Sequence, residues 1–194
     1  MPLHIDDAAK RTLARIIVSL RSARLEVGIS QNALSARLPV RGRAISEWET
    51  GAIEPTLGHL IQWSSELRLR LVVVGWDATL RVGAARQRPG ESWEVFERRR
   101  LALSLRSRRQ AMGMSQGDLG ELVGVSRDSV QRWELVRVPP RPIAHVVWAH
   151  ALGFSIALQS IDTPNTGPRH YAAGRSTMPA PWRPNSTTRH PSQL

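Results

Sequence analysis

The sequence predicts a mainly α-helical protein built from two copies of one small domain, each followed by a short β-strand. Three observations carry this. Sliding the 194-residue chain by 85 positions superimposes Leu20 to about Val73 on Leu105 to about Leu158 without a gap. Within each copy, apolar residues recur at helical spacing between glycine and proline punctuation. Behind the last helical stretch the apolar period drops to two, the alternation of a half-buried strand.

The matched pairs include Leu20/Leu105, Arg24/Arg109, Gly28/Gly113, Ser30/Ser115, Gln31/Gln116, Leu34/Leu119, Trp48/Trp133, Glu49/Glu134, Pro55/Pro140, Trp63/Trp148 and Leu67/Leu152. Tryptophan is rare, so two Trp pairs at one offset mark a duplicated domain.

Each copy has the same internal grammar. An arginine-rich, apolar-spaced helix ends at Gly28 or Gly113. Ser30 and Ser115 can cap a second helix, SQNALSARL or SQGDLGELV. After a break at Pro39-Val40 or Gly124-Val125, a third helix is expected from about Arg41 or Ser126 to about Glu49 or Glu134. Pro55 and Pro140 are expected in the first turn of a fourth. The alternating segments Arg68–Val74 and Phe154–Ser160 read as strands that can pair with each other and make the chain a covalent pseudo-dimer. Gly75-Trp76-Asp77 can turn the chain into a second strand, Ala78 to Val82.

The expected boundaries are therefore a first domain at 1–82, a linker at 83–91, a second domain at 92–161 and a basic tail at 162–194. The tail is rich in Pro, Ser, Thr and Arg and is expected to be disordered.

The formal net charge is +11, and Lys10 is the only lysine. The pI of about 11.7 favours a polyanionic partner. Cysteine is absent, which removes disulfides and cysteine-based zinc sites and fits a reducing compartment. No apolar run is long enough to span a bilayer. The N-terminal MPLHIDDAAKR lacks the apolar core of a secretory signal, so a cytoplasmic protein without membrane contact is expected.

The string R-x-x-x-G-[IM]-S-Q-x-x-L, a turn, then [IV]-x-x-W-E and a later Pro occurs in both copies. Both copies thereby resemble the Cro/phage-repressor (XRE-type) helix-turn-helix domain, over roughly Leu20–Leu71 and Leu105–Ile156. The resemblance implies two lambda-repressor-like helix-turn-helix domains and double-stranded DNA as partner. The third helix of each copy would enter the major groove. By position, Gln31 and Gln116 would contact phosphate. Arg41 and Ser126 would start the recognition helices. Gly42, Arg43, Ala44 and Glu47 would face base edges in the first copy, and Arg127, Asp128, Ser129 and Arg132 in the second. Arg43, Arg127 and Arg132 are suited to guanine O6 and N7, with a plain phosphate contact as the alternative for each. Glu47 and Asp128 can accept from cytosine N4 or orient an arginine.

The resemblance also implies ion pairs between the first and third helices, Arg24 with Glu49 and Arg109 with Glu134. Three departures from the family pattern stand out. Pro39 replaces the usual glycine of the inter-helix turn. Val136 replaces a glycine after the third helix, so a rebuilt exit is expected there. His145 replaces an apolar residue in the fourth helix.

No phosphate-cradling glycine loop is present, and His145 and His150 are out of phase for a shared metal. No enzymatic activity, cofactor or metal is expected. The expected function is transcriptional regulation by sequence-specific DNA binding, as a repressor or an activator. The recognition segments RGRAISEWE and SRDSVQRWE agree at core positions and diverge at exposed ones. Either they read different half-sites or only one reads DNA. An antitoxin-like autoregulator that binds a toxin, and a module whose helix-turn-helix binds another regulatory protein, are the alternatives. The chain can act as a pseudo-dimeric monomer or as a homodimer.

Overall fold

The computed structural model describes residues 2–75 and 85–161. The expected strand at 78–82, the turn leading to it and the tail at 162–194 lie outside the described residues.

Among the described residues, four helices and one strand form each copy. The first holds α1 (Asp7–Glu26), α2 (Gln31–Arg37), α3 (Ala44–Thr50), α4 (Leu57–Glu66) and β1 (Leu69–Gly75). The second holds α5 (Trp93–Ala111), α6 (Gln116–Val123), α7 (Arg127–Glu134), α8 (Pro142–Ala151) and β2 (Phe154–Ser160). No helix among the described residues is long and apolar enough to cross a membrane.

Local chemistry sets most of the helix starts. Asp6, Ser30, Thr56, Ser92, Ser115 and Ser126 each accept, through a side-chain oxygen, from the backbone N–H three residues on. These bonds satisfy donors that a helix N-terminus otherwise leaves open. Pro55 and Pro140 precede the fourth helices rather than sitting in their first turns. In the first copy Thr56 supplies the cap at that point. In the second, Pro142 takes the first turn and its neighbour Arg141 makes no side-chain cap. Glu54 of the first copy fills that role, accepting from Ile143 N at 2.8 Å and from the Arg141 guanidinium.

The two strands pair antiparallel, in the register Leu69↔Ser160 through Gly75↔Phe154. Around them the helices cross over between copies. α1 packs on α8 and β2, while α5 packs on α4 and β1. Each first helix thus lies against the other copy's last elements, and one apolar core runs through both. Trp48 and Trp63 tilt together with ring centroids 5.9 Å apart, as do their counterparts Trp133 and Trp148. Trp63 and Trp148 are fully buried.

The junction between copies is not symmetric in its polar groups. On one side Glu97 accepts from Arg70 and from Arg100, whose guanidinium also donates to Leu71 O. Glu97 and Arg100 are both buried. The positions equivalent to Glu97, Arg100 and Arg70 are Thr12, Arg15 and Ser155. On that side Thr12 instead lies 3.3 Å from His150 Nε2.

Candidate nucleic-acid interface

In the second copy, α6 is closed at its start by a reciprocal pair of bonds between Ser115 and Asp118. It ends at Gly124, in the left-handed region at φ 79°. α7 follows, with Ser126 Oγ accepting from Ser129 N at 3.1 Å. The turn is tight. A Cβ on Gly120 would lie 2.7 Å from Val125 O and 3.3 Å from Arg127 N, so a side chain there would push α7 away.

The first copy cannot make this turn. Its equivalents of Gly120 and Gly124 are Ser35 and Pro39. A side chain at Ser35 forbids the close approach, and proline, locked near φ −65°, cannot take the left-handed step. α2 therefore ends at Arg37 with an extended cap at Leu38, and Ser35 Oγ reaches Gly42 O at 3.4 Å. The expectation that this recognition helix begins near Arg41 is corrected. Arg41, Gly42 and Arg43 lie in the turn and α3 starts at Ala44. Arg41 has no short side-chain oxygen to cap with, as Ser126 does, and Gly42 disfavours helix. The Ser35/Gly120 difference is the sequence signal for this: a glycine at helical spacing before the turn in one copy alone.

Arg41, Gly42, Arg43, Arg127, Asp128 and Arg132 are exposed, while Ala44, Glu47 and Ser129 are half-buried. Ser126 and Ser129 hydroxyls lie 2.9 Å apart, within the cap. Arg132 Nη2 is 2.7 Å from Asp128 Oδ2, one helical turn earlier. The equivalent residues of the first copy are Glu47 and Arg43, so the signs are exchanged between the two edges.

Behind each edge sits the same buried pair. Arg24 Nε donates to Glu49 Oε1 at 2.6 Å and its Nη2 to Oε2 at 2.9 Å. Arg109 does likewise to Glu134, at 2.6 and 3.0 Å. A fork against a carboxylate fixes geometry as well as charge. Arg24 Nη1 also donates to Ile29 O, and Arg109 Nη1 to Met114 O, tying the loop after the first helix to the third. Burial opposes charge on Glu49, but the bonds from Arg24 and Gln31 outweigh it and hold the carboxyl below its ordinary range. Gln31 and Gln116 turn inward, each donating from Nε2 to that glutamate at 2.8 Å. They brace the pair from the start of the second helix.

After α7 the chain keeps the path of the first copy. Val136 takes φ 58°, close to the 74° of its equivalent Gly51. The expected rebuilt exit is thus corrected: the conformation is conserved at a cost in backbone strain.

A helix-turn-helix family matches residues 20–74, and a family described as a helix-turn-helix domain matches residues 100–159. No curated protein and no solved structure matches the chain. The two matches fall on α1–β1 and α5–β2, and together they span more than half of the sequence. The chain carries two helix-turn-helix domains in tandem.

Proposed function

We propose that both units of one chain dock on one DNA duplex and that the protein regulates transcription by sequence-specific binding. One observation carries this reading. Two recognition edges with unlike side chains stand exposed on equivalent positions of a shared, buried frame. The frame residues Arg24–Glu49 and Arg109–Glu134 repeat almost atom for atom, whereas Arg43/Glu47 and Asp128/Arg132 exchange sign. Fold maintenance leaves such exposed positions free to vary, yet each edge keeps two exposed arginines, Arg41 and Arg43 in the first and Arg127 and Arg132 in the second.

Helix-turn-helix proteins ordinarily dimerise to span two half-sites about 34 Å apart. Here the second unit is held beside the first by β1–β2 pairing within one chain, so docking of one raises the effective concentration of the other. Unlike edges suit an asymmetric operator.

Selection of bound sequences from a random duplex pool, followed by a salt titration of the winner, tests the proposal. An asymmetric motif is expected. Affinity should fall with salt with a slope set by the number of phosphates neutralised. A protein that ignores every duplex at low ionic strength would overturn the reading and leave a protein-binding role for the same fold.

A further inference from the structure

Resting on the reading above, we infer a division of labour: the second unit reads base identity through Arg132, positioned by Asp128, and the first unit grips the phosphate backbone through Arg41 and Arg43.

The two edges differ in how well their cations are organised. α7 is an eight-residue helix with a side-chain cap, so Arg127, Asp128 and Arg132 project from formed helical turns. Asp128 holds one part of the Arg132 guanidinium at 2.7 Å. Such an exposed pair contributes little to stability. Its consequence is geometric. Guanidinium has five N–H donors in a rigid plane, and one carboxylate oxygen leaves enough of them for a bidentate bond to guanine. Even a weak bias towards one orientation lowers the freedom given up on docking. The adjoining carboxylate also repels phosphate, which biases Arg132 away from the backbone and towards a base edge.

The first unit has the opposite arrangement. Arg43 is the last residue before α3, at φ −81° and ψ −17°, and makes no side-chain cap. No ion pair among the described residues holds Arg41 or Arg43. Where the second unit has Arg132, the first has Glu47, which carries no donor fork. Arginines on a turn, free to adjust, suit phosphates, whose recognition needs charge more than a fixed angle.

The test uses the full chain and three exposed substitutions, Arg132→Ala, Asp128→Asn and Arg43→Ala, each checked by thermal melting for an unchanged fold. Each is put through the random-pool selection and titrated against the selected duplex and against a scrambled one. Arg132→Ala should erase a guanine preference and weaken the selected duplex about ten-fold or more, leaving the scrambled one nearly unchanged. Asp128→Asn should blur the guanine preference at the same position, an effect that loss of a negative charge alone would not produce. Arg43→Ala should weaken both duplexes alike, keep the motif and lower the salt slope by about one. The inference is overturned if Arg43→Ala rewrites the motif, if Arg132→Ala weakens both duplexes equally, or if Asp128→Asn leaves the motif sharp. Those outcomes leave the underlying reading intact, because the wild-type chain still selects a sequence. Failure of the wild type to bind any duplex would sink both.

Discussion

Val72 of β1 pairs with Ala157 of β2, and each is the other's counterpart at the 85-residue offset. The pairs on either side are exchanged by the same operation, Leu71 with Leu158 and Val73 with Ile156. A pseudo-two-fold axis therefore passes through the Val72–Ala157 pair, and one chain reproduces inside itself the self-complementary contact of a symmetric dimer. Because α1 and α5 each pack on the other copy, the copies should lose structure together. Val72 is buried, so Val72→Asp would place an unpaired carboxylate at the axis. A loss of about 3–5 kcal/mol is expected, by analogy with other uncompensated buried charges. Urea unfolding followed by tryptophan fluorescence should show one transition in the wild type, moved to lower urea in the variant. Two separate transitions in the wild type would contradict the coupled packing.

Glu97 stands between Arg70 and Arg100 on one side of that axis alone. Burial pushes the Arg100 guanidinium below its ordinary value even with Glu97 beside it. Removing the carboxylate strands a buried cation, so Glu97→Gln is expected to cost about 3–5 kcal/mol. Replacing both buried partners, Glu97→Met with Arg100→Met, should recover most of that loss, since no buried charge then remains. Arg70 is partly exposed and can turn to water. Denaturant midpoints of the two variants check this. A double variant no more stable than the single one would show that the network does more than satisfy its own charges.

Much of the frame is legible in the sequence, and the reason is local. Serine caps before apolar runs, glycine after them and the change of period behind α4 and α8 each act within a few residues, so the strings SQNALSARL and SQGDLGELV identify their helices directly. That the two strands can pair is likewise readable, because the repeat makes their apolar faces equivalent; their antiparallel direction is a finding of the structure. What escaped reading depends on contacts between distant residues. The late start of α3 has local cues in Ser35, Pro39 and the cap-less Arg41-Gly42, but the clash across the turn that makes them matter appears only in three dimensions. Nothing near Gln31 shows its amide turned inward, since Glu49 lies on another helix. The crossing of α1 onto α8, and the one-sided Arg70–Glu97–Arg100 cluster, arise only once two copies are laid together.

Val136 and Gly51 occupy one conformation with unequal ease. A β-branched residue at positive φ is strained, and the left-handed region costs an L-residue about 1–2 kcal/mol. A Cβ on Gly51 would meet nothing within 4 Å, so its substitution reports backbone strain without a clash. Gly51→Ala is therefore expected to destabilise by about 1 kcal/mol or somewhat more. Val136→Gly releases the same strain but gives up apolar contact with the core, so its net change should be smaller than the loss at Gly51. Chemical denaturation of both variants gives the comparison. A neutral Gly51→Ala would mean that the loop relaxes out of the left-handed conformation.

His145 stands in the core of the second copy where the first has Leu60. Its ring meets Trp148 edge-on, with centroids 5.5 Å apart, and no described residue bonds either ring nitrogen. Arg98 lines the same small cavity and is paired with Glu94 at 3.3 Å. Burial pushes the imidazole pKa down from 6.5 to about 4. The unfolded chain therefore takes up a proton below about pH 6.5 that the folded chain resists until about pH 4. Stability should be unaffected by this group above pH 6.5, fall as pH drops through the interval and level off below it. The shift corresponds to a loss of up to about 3 kcal/mol. His150 contributes in the same direction, its pKa lowered by burial against the pull of Asp6, so the total slope belongs to both residues. Comparison with His145→Leu separates them. That variant should be more stable at neutral pH by about 1–3 kcal/mol, because it removes an unsatisfied buried polar ring. Its advantage should widen as pH falls from 6.5 towards 4, while a constant gap across that range would show that His145 is protonated in the folded protein as readily as in the unfolded one.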